Sequence, residues 1–276
     1  MPDSINHTEG RRLFGSDPAT YDVIRPDYPE EIYQFLIETG ALKANTAALE
    51  IGAGTGLATR RLLEAAVDPL IVIEPDARFS PMLTEMGAQY PTEFNVIETP
   101  FEEAELSPRS FDLIAAATAF HWVNRTTGLP KVIQLLKPEG FVALWWNVFG
   151  DPMRNDAYHE ATRHILGALR SSPSGASDSV PYALDVDARL KELAETGAFV
   201  APQYALHRWT LVLDTTQVAS LYATFASISE LPRDKARAVL GQLMEVAEKQ
   251  FGGSVERNMV SAVYVAQRRS RVTNSG

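Results

Sequence analysis

The 276-residue sequence contains no cysteine, which excludes disulfide scaffolds, thiolate metal sites and cysteine nucleophiles. It has no run of about 18 apolar residues, the length that a membrane-spanning helix needs. The N-terminal segment MPDSINHTEGRR lacks the apolar core of a secretory signal. With 25 basic against 35 acidic residues, the formal charge of −10 argues against a protein that grips a phosphate backbone. We therefore expect a cytoplasmic protein that acts on small molecules, without a nucleic-acid or membrane partner.

Short apolar runs alternate with segments of helical period, a pattern typical of α/β proteins. Three of the runs are almost uninterrupted, as expected for parallel strands that are covered on both faces. The sequence predicts strands over 46–52, 69–75, 94–99, 111–118, 140–147, 204–214 and 258–268.

A glycine-rich turn, Gly52-x-Gly54-x-Gly56, lies where the first strand meets the first helix and begins two residues after Glu50. Such a turn lets a ligand approach the backbone and directs free helix N–H groups at it. The spacing differs from the dinucleotide pattern G-x-G-x-x-G, and no Lys-Ser/Thr follows as in a P-loop. Glu74 ends the second strand, where an acid can accept both hydroxyls of a ribose. The combination predicts a ligand site at this end of the strands.

Six different short motifs are spread along the chain. They are Tyr21-x-x-x-Arg25-Pro26-x-Tyr28-Pro29, Glu50-x-Gly52-x-Gly54-x-Gly56, Ile73-Glu74-Pro75-Asp76, Phe101-Glu102, Ala119-Phe120-His121-Trp122 and Leu136-Lys137-Pro138-x-Gly140. With them the chain resembles the class I S-adenosylmethionine-dependent methyltransferases that act on small molecules (methyltransferase type 11), over roughly residues 14–268.

The resemblance implies a Rossmann-like fold with a seven-stranded, mostly parallel sheet, an antiparallel last strand and helices on both faces. It implies one domain, in which 1–40 forms N-terminal cap helices and 41–147 the cofactor-binding core. Residues 148–205 would form a substrate cap, and 206–268 the C-terminal strands and helices.

The resemblance also implies S-adenosyl-L-methionine as cofactor, with S-adenosyl-L-homocysteine as its product. The glycines would approach the methionine part, Glu50 would orient the turn and the ammonium group, and Glu74 would hold the ribose. The cofactor-binding residues implied are Tyr21, Arg25, Glu50, Gly52, Ala53, Gly54, Gly56, Glu74, Pro75, Phe101, Glu102, Ala117, His121 and Trp122.

Two residues are candidate catalytic groups, His121 and Tyr21, and His159 is a further candidate base. Four aromatic residues are expected to face the substrate: Trp122, Trp146, Tyr204 and Tyr222. His159 and His164 lie five apart on a predicted helix and so do not share a face. No metal site is expected.

The predicted site is surrounded by aromatic residues, and the 148–205 insertion shows no obvious arginine cluster. Both features favour a hydrophobic, natural-product-like acceptor from secondary metabolism. In general character and length the chain is also similar to natural-product C-methyltransferases such as that of teleocidin biosynthesis, so C-methylation of a prenyl chain that triggers cyclisation is one alternative.

Other interpretations stay open from the sequence. One is O-methylation of a small carboxylic acid. From other functional classes, a nicotinamide-dependent oxidoreductase and a non-catalytic cofactor-binding protein remain. A homo-oligomer formed through residues 1–20 is compatible with the sequence.

Overall fold

The structure, a computed structural model, describes residues 24–169 and 180–270. Within these residues seven strands form one sheet in the order β3-β2-β1-β4-β5-β7-β6. The strands are β1 (Ala48–Ile51), β2 (Leu70–Ile73), β3 (Phe94–Ile97), β4 (Phe111–Ala117), β5 (Leu136–Phe149), β6 (Phe199–Asp214) and β7 (Ser254–Arg268). β1 to β5 pair in parallel, whereas β7 runs antiparallel to both β5 and β6. The predicted Rossmann-like fold with an antiparallel last strand is confirmed.

Helices cover both faces of this sheet. They are α1 (Glu30–Glu38), α2 (Leu57–Glu64), α3 (Ser80–Gly87), α4 (Arg125–Leu135), α5 (Ala157–Leu166), α6 (Val186–Glu195), α7 (Thr215–Ala223), α8 (Ala226–Ser229) and α9 (Arg233–Phe251). One buried cluster joins α1, α2 and α3 to the sheet, and a second joins α4 and α6 to the opposite face. Successive strand residues alternate between the two clusters, so Trp145 is buried with the first and Trp146 with the second.

A third buried cluster unites α5, α7, α8 and α9 with the ends of β6 and β7. It contains a fully buried ion pair, in which Arg257 Nε donates to Asp156 Oδ2 at 2.8 Å. Arg257 also contacts the hydroxyl of Tyr222. Because β6 runs parallel to β5, this helical layer lies beside the carboxyl ends of the parallel strands, where ligands bind in α/β sheets.

Three strands begin four or five residues before their predicted starts, and one of them is β7, which begins at Ser254 where the prediction was 258. β5 begins at Leu136, four residues before the predicted 140–147 strand, because the chain re-pairs across an irregularity: Phe111 is opposite Leu136, and Leu113 is opposite Phe141. β6 begins at Phe199, five residues before the predicted start, through its long pairing with β7. Within the described ranges, no helix is both long enough and apolar enough to cross a membrane.

Candidate active site

A cavity of about 1390 Å³ lies at the carboxyl ends of the parallel strands. Its wall is formed by residues at and just after the carboxyl ends of β1, β2, β4 and β5, together with Arg25, Pro26, Tyr28 and one side of α5. Parallel strands end at the same edge of a sheet, so the first residue after each one reaches this space. The sheet topology therefore gathers into one site motifs that are far apart in the sequence.

The glycine turn after β1 takes a left-handed backbone at each glycine, with φ of +73° at Gly52, +55° at Gly54 and +89° at Gly56. A Cβ on Gly52 would lie 2.5 Å from Ala119 Cβ, and one on Gly56 would lie 2.8 Å from Met86 Cε. A Cβ on Gly54 would have no atom within 4 Å. Gly54 therefore presents bare backbone to the open cavity, while its two neighbours need glycine for close packing.

Glu74 follows β2 and holds this turn. Its Oε2 accepts the Gly54 N–H at 2.8 Å, and its Oε1 accepts the Asp76 N–H at 2.9 Å. The side chain lines the cavity although the residue is only 6% exposed. Burial raises the pKa of Glu74 to about 7, against the lowering effect of the two N–H donors. The carboxyl group is therefore poised between its neutral and charged forms near neutral pH.

Glu50, in β1, is fully buried beneath the turn. Its Oε2 accepts the hydroxyl of Thr59 at 2.6 Å, whereas its Oε1 has no hydrogen-bond partner within the described residues. Burial raises the pKa of Glu50 to about 7, and the nearby Glu74 adds to this effect. An unsatisfied buried oxygen is costly, so its position beneath the turn is consistent with a cationic ligand above it.

Residues 24–29, which we call the N-terminal strap, cross the cavity. The Asn147 amide at the carboxyl end of β5 donates to the carbonyls of Pro26 at 3.1 Å and Asp27 at 3.2 Å. The Asn147 Oδ1 in turn accepts the hydroxyl of Ser261. The side chain that ends one strand therefore ties the strap to the sheet.

A second contact joins the strap to the end of β4. The Tyr28 hydroxyl donates to Thr118 Oγ1 at 2.9 Å. Thr118 has φ of +50°, in the left-handed region that a β-branched residue rarely adopts. Strained backbone of this kind is concentrated at functional sites, and Thr118 lines the cavity.

Arg25 makes the third contact of the strap, toward the helical layer. Its Nη2 donates to the Thr224 carbonyl at 3.0 Å, and its guanidinium lies 4.9 Å from the Phe225 ring centroid and 5.6 Å from that of Phe149. All three side chains line the cavity. The arginine thus closes the cavity with a cation packed on aromatic faces.

His121 lies in a single helical turn, Phe120–Trp122, that follows β4. Its Nδ1 accepts a hydrogen bond from the Trp146 indole N–H at 3.1 Å. The ring centroids of His121 and Trp122 are 5.0 Å apart. These three aromatic side chains form one continuous part of the cavity wall.

The outer wall carries charged residues of the 148–205 insertion. Arg163 is paired with Glu160, whereas the Arg154 guanidinium donates to the Thr210 hydroxyl at 3.2 Å and the Trp209 carbonyl at 3.4 Å. Two arginines therefore border the cavity where the sequence showed no obvious cluster, because the turn before α5 and the helix itself bring positions 154 and 163 to the same wall.

His159 lies on the same wall. Burial, followed by the positive charge of Arg257, lowers its pKa. The imidazole is therefore neutral at physiological pH.

Comparison with known proteins agrees with this geometry. Residues 49–144 match the family described as "Methyltransferase domain". An uncharacterized methyltransferase of Schizosaccharomyces pombe is 24% identical over 265 residues, covering 93% of this chain and 97% of that protein. An uncharacterized methyltransferase of Geobacillus kaustophilus is 30% identical over 168 residues, covering 58% of this chain and 73% of that protein.

The chain belongs to the class I S-adenosylmethionine-dependent methyltransferases. The fold agrees: a phosphoethanolamine N-methyltransferase of Haemonchus contortus, solved in complex with S-adenosyl-L-methionine, superimposes with a TM-score of 0.55 at 12% identity, over 93% of this chain and 57% of that one. This methyltransferase is therefore an enzyme whose cofactor is S-adenosyl-L-methionine.

The cavity of the methyltransferase fits that cofactor. Gly54 offers bare backbone with open space above it, and the nearest ionisable groups, Glu50 and Glu74, are acidic. A polyphosphate would require a cationic side chain at this turn. A ligand with an ammonium group, a sulfonium and ribose hydroxyls can instead be bound by carboxylates and by backbone N–H and C=O groups. Within the described residues, no cluster of His, Asp or Glu is arranged to hold a metal ion.

Most of the residues expected from the sequence come together in the cavity wall of the methyltransferase. Those that line it are Arg25, Gly52, Ala53, Gly54, Glu74, Pro75, Phe101, Glu102, Ala117, His121, Trp122, Trp146 and His159. Glu50 and Gly56 lie behind the wall and support the turn. Tyr21 lies outside the described residues.

Two of the aromatic residues expected to face the substrate do not reach the cavity. Tyr222 is buried among the C-terminal helices beside Arg257. Tyr204 lies on the edge strand β6, half exposed, with its ring stacked on Tyr264. The substrate role expected of both residues therefore gains no support from the structure. Helical and strand patterns in the sequence do not show which surface an aromatic side chain will contact.

Asn147 and Phe225 are wall residues for which the sequence predicted no binding role. Asn147 lies among the last residues of β5, and this position near a carboxyl end is the signal that could have identified it. Phe225 carries no such signal, because it reaches the cavity only through the packing of α7 and α8 against Arg25.

Proposed function

We propose that this methyltransferase acts on a small, largely hydrophobic, natural-product-like acceptor. The observation that carries the proposal is the cavity of about 1390 Å³, which exceeds the ~300–1,000 Å³ usual for one small ligand. The space beyond the glycine turn is bordered by Trp122, Trp146, Phe149 and Phe225. Such a wall suits an acceptor with an apolar body held beside the cofactor.

The glycine turn and Glu74 are the proposed holders of the cofactor. When bound, S-adenosyl-L-methionine supplies an electrophilic methyl group on a positively charged sulfur. The ionised Glu74 carboxylate would accept the ribose hydroxyls, and Glu50 would compensate the positive charge from below. Phe101 lines the same wall and would pack against the adenine.

The protein's further task in this proposal is to fix the acceptor and exclude water. Alignment of two reacting groups can supply up to ~7–11 kcal/mol of the barrier. The N-terminal strap, held by Asn147 and by the Tyr28–Thr118 hydrogen bond, covers the site. Covering the site also protects a reactive sulfonium from hydrolysis.

Arg154 favours a second candidate, O-methylation of a carboxylic acid. Its guanidinium donates to two neutral oxygen atoms, and within the described parts of the chain it has no carboxylate partner. A guanidinium beside a cavity is well suited to bind a carboxylate. The aromatic wall alone would instead suit C-methylation of a prenyl chain followed by cyclisation, because aromatic faces stabilise a carbocation.

Calorimetry with S-adenosyl-L-methionine tests the cofactor site. Gly54→Val places a side chain in the cavity, and we expect affinity to fall at least ~30-fold. Gly40→Val is the matched control, since Gly40 also has positive φ (+76°) and no atom within 4 Å of its Cβ but does not line the cavity. Equal affinities for the two variants, or binding of NADH in place of the cofactor, would refute the proposed site.

A mass-spectrometric acceptor screen tests the substrate class. Each compound would be offered as a pair, an apolar parent and its carboxylic acid, and a product heavier by one CH₂ identifies methyl transfer. If the enzyme prefers the apolar parent, and Arg154→Gln has the same preference, the result supports the hydrophobic acceptor. If the enzyme prefers the acid, and this preference is lost in Arg154→Gln but kept in the control Arg163→Gln, the result supports the second candidate instead. Cyclisation without a mass increase would contradict both.

A further inference from the structure

A hydrogen-bond network crosses the C-terminal strands and ends on the N-terminal strap. It begins on β6, where the Trp209 indole N–H donates to Ser261 Oγ at 2.9 Å. The Ser261 hydroxyl donates to Asn147 Oδ1. The Asn147 amide then donates to the carbonyls of Pro26 at 3.1 Å and Asp27 at 3.2 Å. The edge strand of the sheet is thus connected to the segment that crosses the cavity.

The register of the sheet brings the three side chains of this network together. Ser261 in β7 lies directly opposite Asn147 of β5, and on its other side it lies opposite His207 of β6. Trp209 is two residues beyond His207 and so shares its face of the sheet. The Trp209 indole therefore meets Ser261 along a diagonal between strands. Because Ser261 is fully buried, the network depends on strand pairing.

The direction of each hydrogen bond in the network is set by its two ends. An indole N–H can only donate, and a backbone carbonyl can only accept. Ser261 Oγ accepts the indole hydrogen and gives its own hydrogen to Asn147 Oδ1. The oxygen of the Asn147 amide is thereby held toward the sheet, and its NH₂ group faces the strap. A turned amide would instead place its oxygen against two carbonyl oxygens.

The N-terminal strap lies next to the glycine turn. The Tyr28 hydroxyl, in the strap, donates to Thr118 at the end of β4. The following residue, Ala119, is the one that a Cβ on Gly52 would meet at 2.5 Å. Movement of the strap would therefore open the end of the cavity at which the cofactor is proposed to bind.

We propose that Ser261 and Trp209 are positioning residues that act through the Asn147 amide and hold the N-terminal strap closed over the bound cofactor. This rests on the proposed cofactor site. Neither Ser261 nor Trp209 belongs to the described wall of the cavity, so their contribution has to pass through Asn147. Loss of the Ser261 hydroxyl frees the amide to turn, and the cofactor then leaves faster.

A double-mutant cycle on the affinity of the full chain for S-adenosyl-L-homocysteine tests the proposal. We expect Ser261→Ala to raise the Kd about 3- to 10-fold, as for the loss of one hydrogen bond, mainly through faster dissociation. Because Ser261 acts through Asn147, adding Ser261→Ala to Asn147→Ala should change the Kd by less than about twofold. A loss in the double variant equal to the product of the two single losses would overturn the proposal, as would native affinity in Ser261→Ala.

Trp209→Phe tests the other end of the network and does not alter Ser261. It keeps an aromatic ring and removes the indole N–H, so we expect a smaller rise in Kd than for Ser261→Ala. Native affinity in Trp209→Phe would overturn the role assigned to Trp209. The matched control is Ser229→Ala, whose hydroxyl donates to the Ala226 carbonyl within its own helix and whose loss should leave the Kd unchanged.

Amide exchange of a peptide spanning 24–29 gives a second measurement, made without ligand. Exchange should accelerate in Ser261→Ala and stay native in Ser229→Ala, and equal exchange in the two variants would overturn the proposal. If the native protein does not bind S-adenosyl-L-homocysteine, the cofactor site itself is refuted. Native binding that the Ser261 and Trp209 variants leave unchanged refutes this inference alone, so the two failures are distinguishable.

Discussion

If Glu74 holds the ribose as proposed, cofactor binding should depend on pH. Burial raises its pKa from 4.5 to about 7, while ribose hydroxyls and a cationic cofactor favour the ionised carboxylate. Binding therefore has to ionise the group at low pH, and affinity should fall as pH drops through 7. Glu74→Gln removes the titration and keeps the shape of the side chain.

The magnitude follows from the raised pKa. At pH 8 about nine-tenths of Glu74 is ionised and at pH 6 about one-tenth, so its contribution weakens binding roughly tenfold, or about 1.4 kcal/mol. Glu74→Gln also replaces one acceptor oxygen by an NH₂ that faces a backbone N–H, either Gly54 or Asp76. Hydrogen bonds to charged groups are worth about 1.5–3 kcal/mol, so the variant should bind ~10–100-fold more weakly at pH 8.

Isothermal titration calorimetry with S-adenosyl-L-homocysteine at pH 6, 7 and 8 measures both effects. Because the same ligand is used throughout, its own titration cancels between the two proteins. The native enzyme should lose affinity toward pH 6, and Glu74→Gln should show a smaller loss, with the remainder due to Glu50. The reasoning is refuted if the native affinity is independent of pH or if the variant retains the full native dependence.

Three further outcomes are expected. Glu50→Gln should resist urea better than the native protein at pH 8 but equally at pH 5. Because the pKa of Glu50 is raised to about 7, the native protein has its full stability below the pKa of the unfolded state and loses part of it as the pH rises through 7. The loss in unfolding free energy is about 3 kcal/mol at most. A native unfolding free energy that rises over this range would contradict the assignment. Arg257→Met should cost about 3–5 kcal/mol by leaving Asp156 buried without its cation, and adding Asp156→Asn should recover part of the loss in urea unfolding; a larger loss in the double variant would show that the charge is not the cause. Asn147→Ala should accelerate amide exchange of the N-terminal strap, measured by mass spectrometry on a peptide spanning 24–29, with Asn45→Ala as a control outside the cavity; unchanged exchange would mean that Asn147 does not hold the strap.

The fold was predictable because its signals are local. The strands β1, β2 and β4 coincide with short apolar runs, and the helices between the strands keep a 3.6-residue period. The start of β5 could not be predicted from the sequence, because Lys137, Pro138 and Gly140 favour a turn. Only pairing with β4 extends the strand back to Leu136. The added residues of β6 depend likewise on its partner β7.

The cofactor end of the site was predictable for a related reason. Gly54 and Glu74 each follow a strand, and parallel topology brings strand ends together without any detail of side-chain packing. Tyr204 and Tyr222 show the limit of this rule, because aromatic residues away from strand ends give no indication of the surface they face. In the structure one stacks on Tyr264 and the other contacts Arg257.

The acceptor end is a product of long-range packing. Arg25 meets Phe225 across 200 positions of sequence, and Trp146 meets His121 through a single indole hydrogen bond. No pattern within one segment encodes such pairs, because each is created only by the packing of elements that are distant in the sequence. We therefore expect specificity for the acceptor to reside in contacts that can change without altering the glycine turn or Glu74. For this reason relatives that share the turn can differ in substrate, and variants of Trp146, Arg154 and Phe225 should alter the choice of acceptor while leaving S-adenosyl-L-homocysteine affinity within about threefold of the native value, a change of less than ~1 kcal/mol.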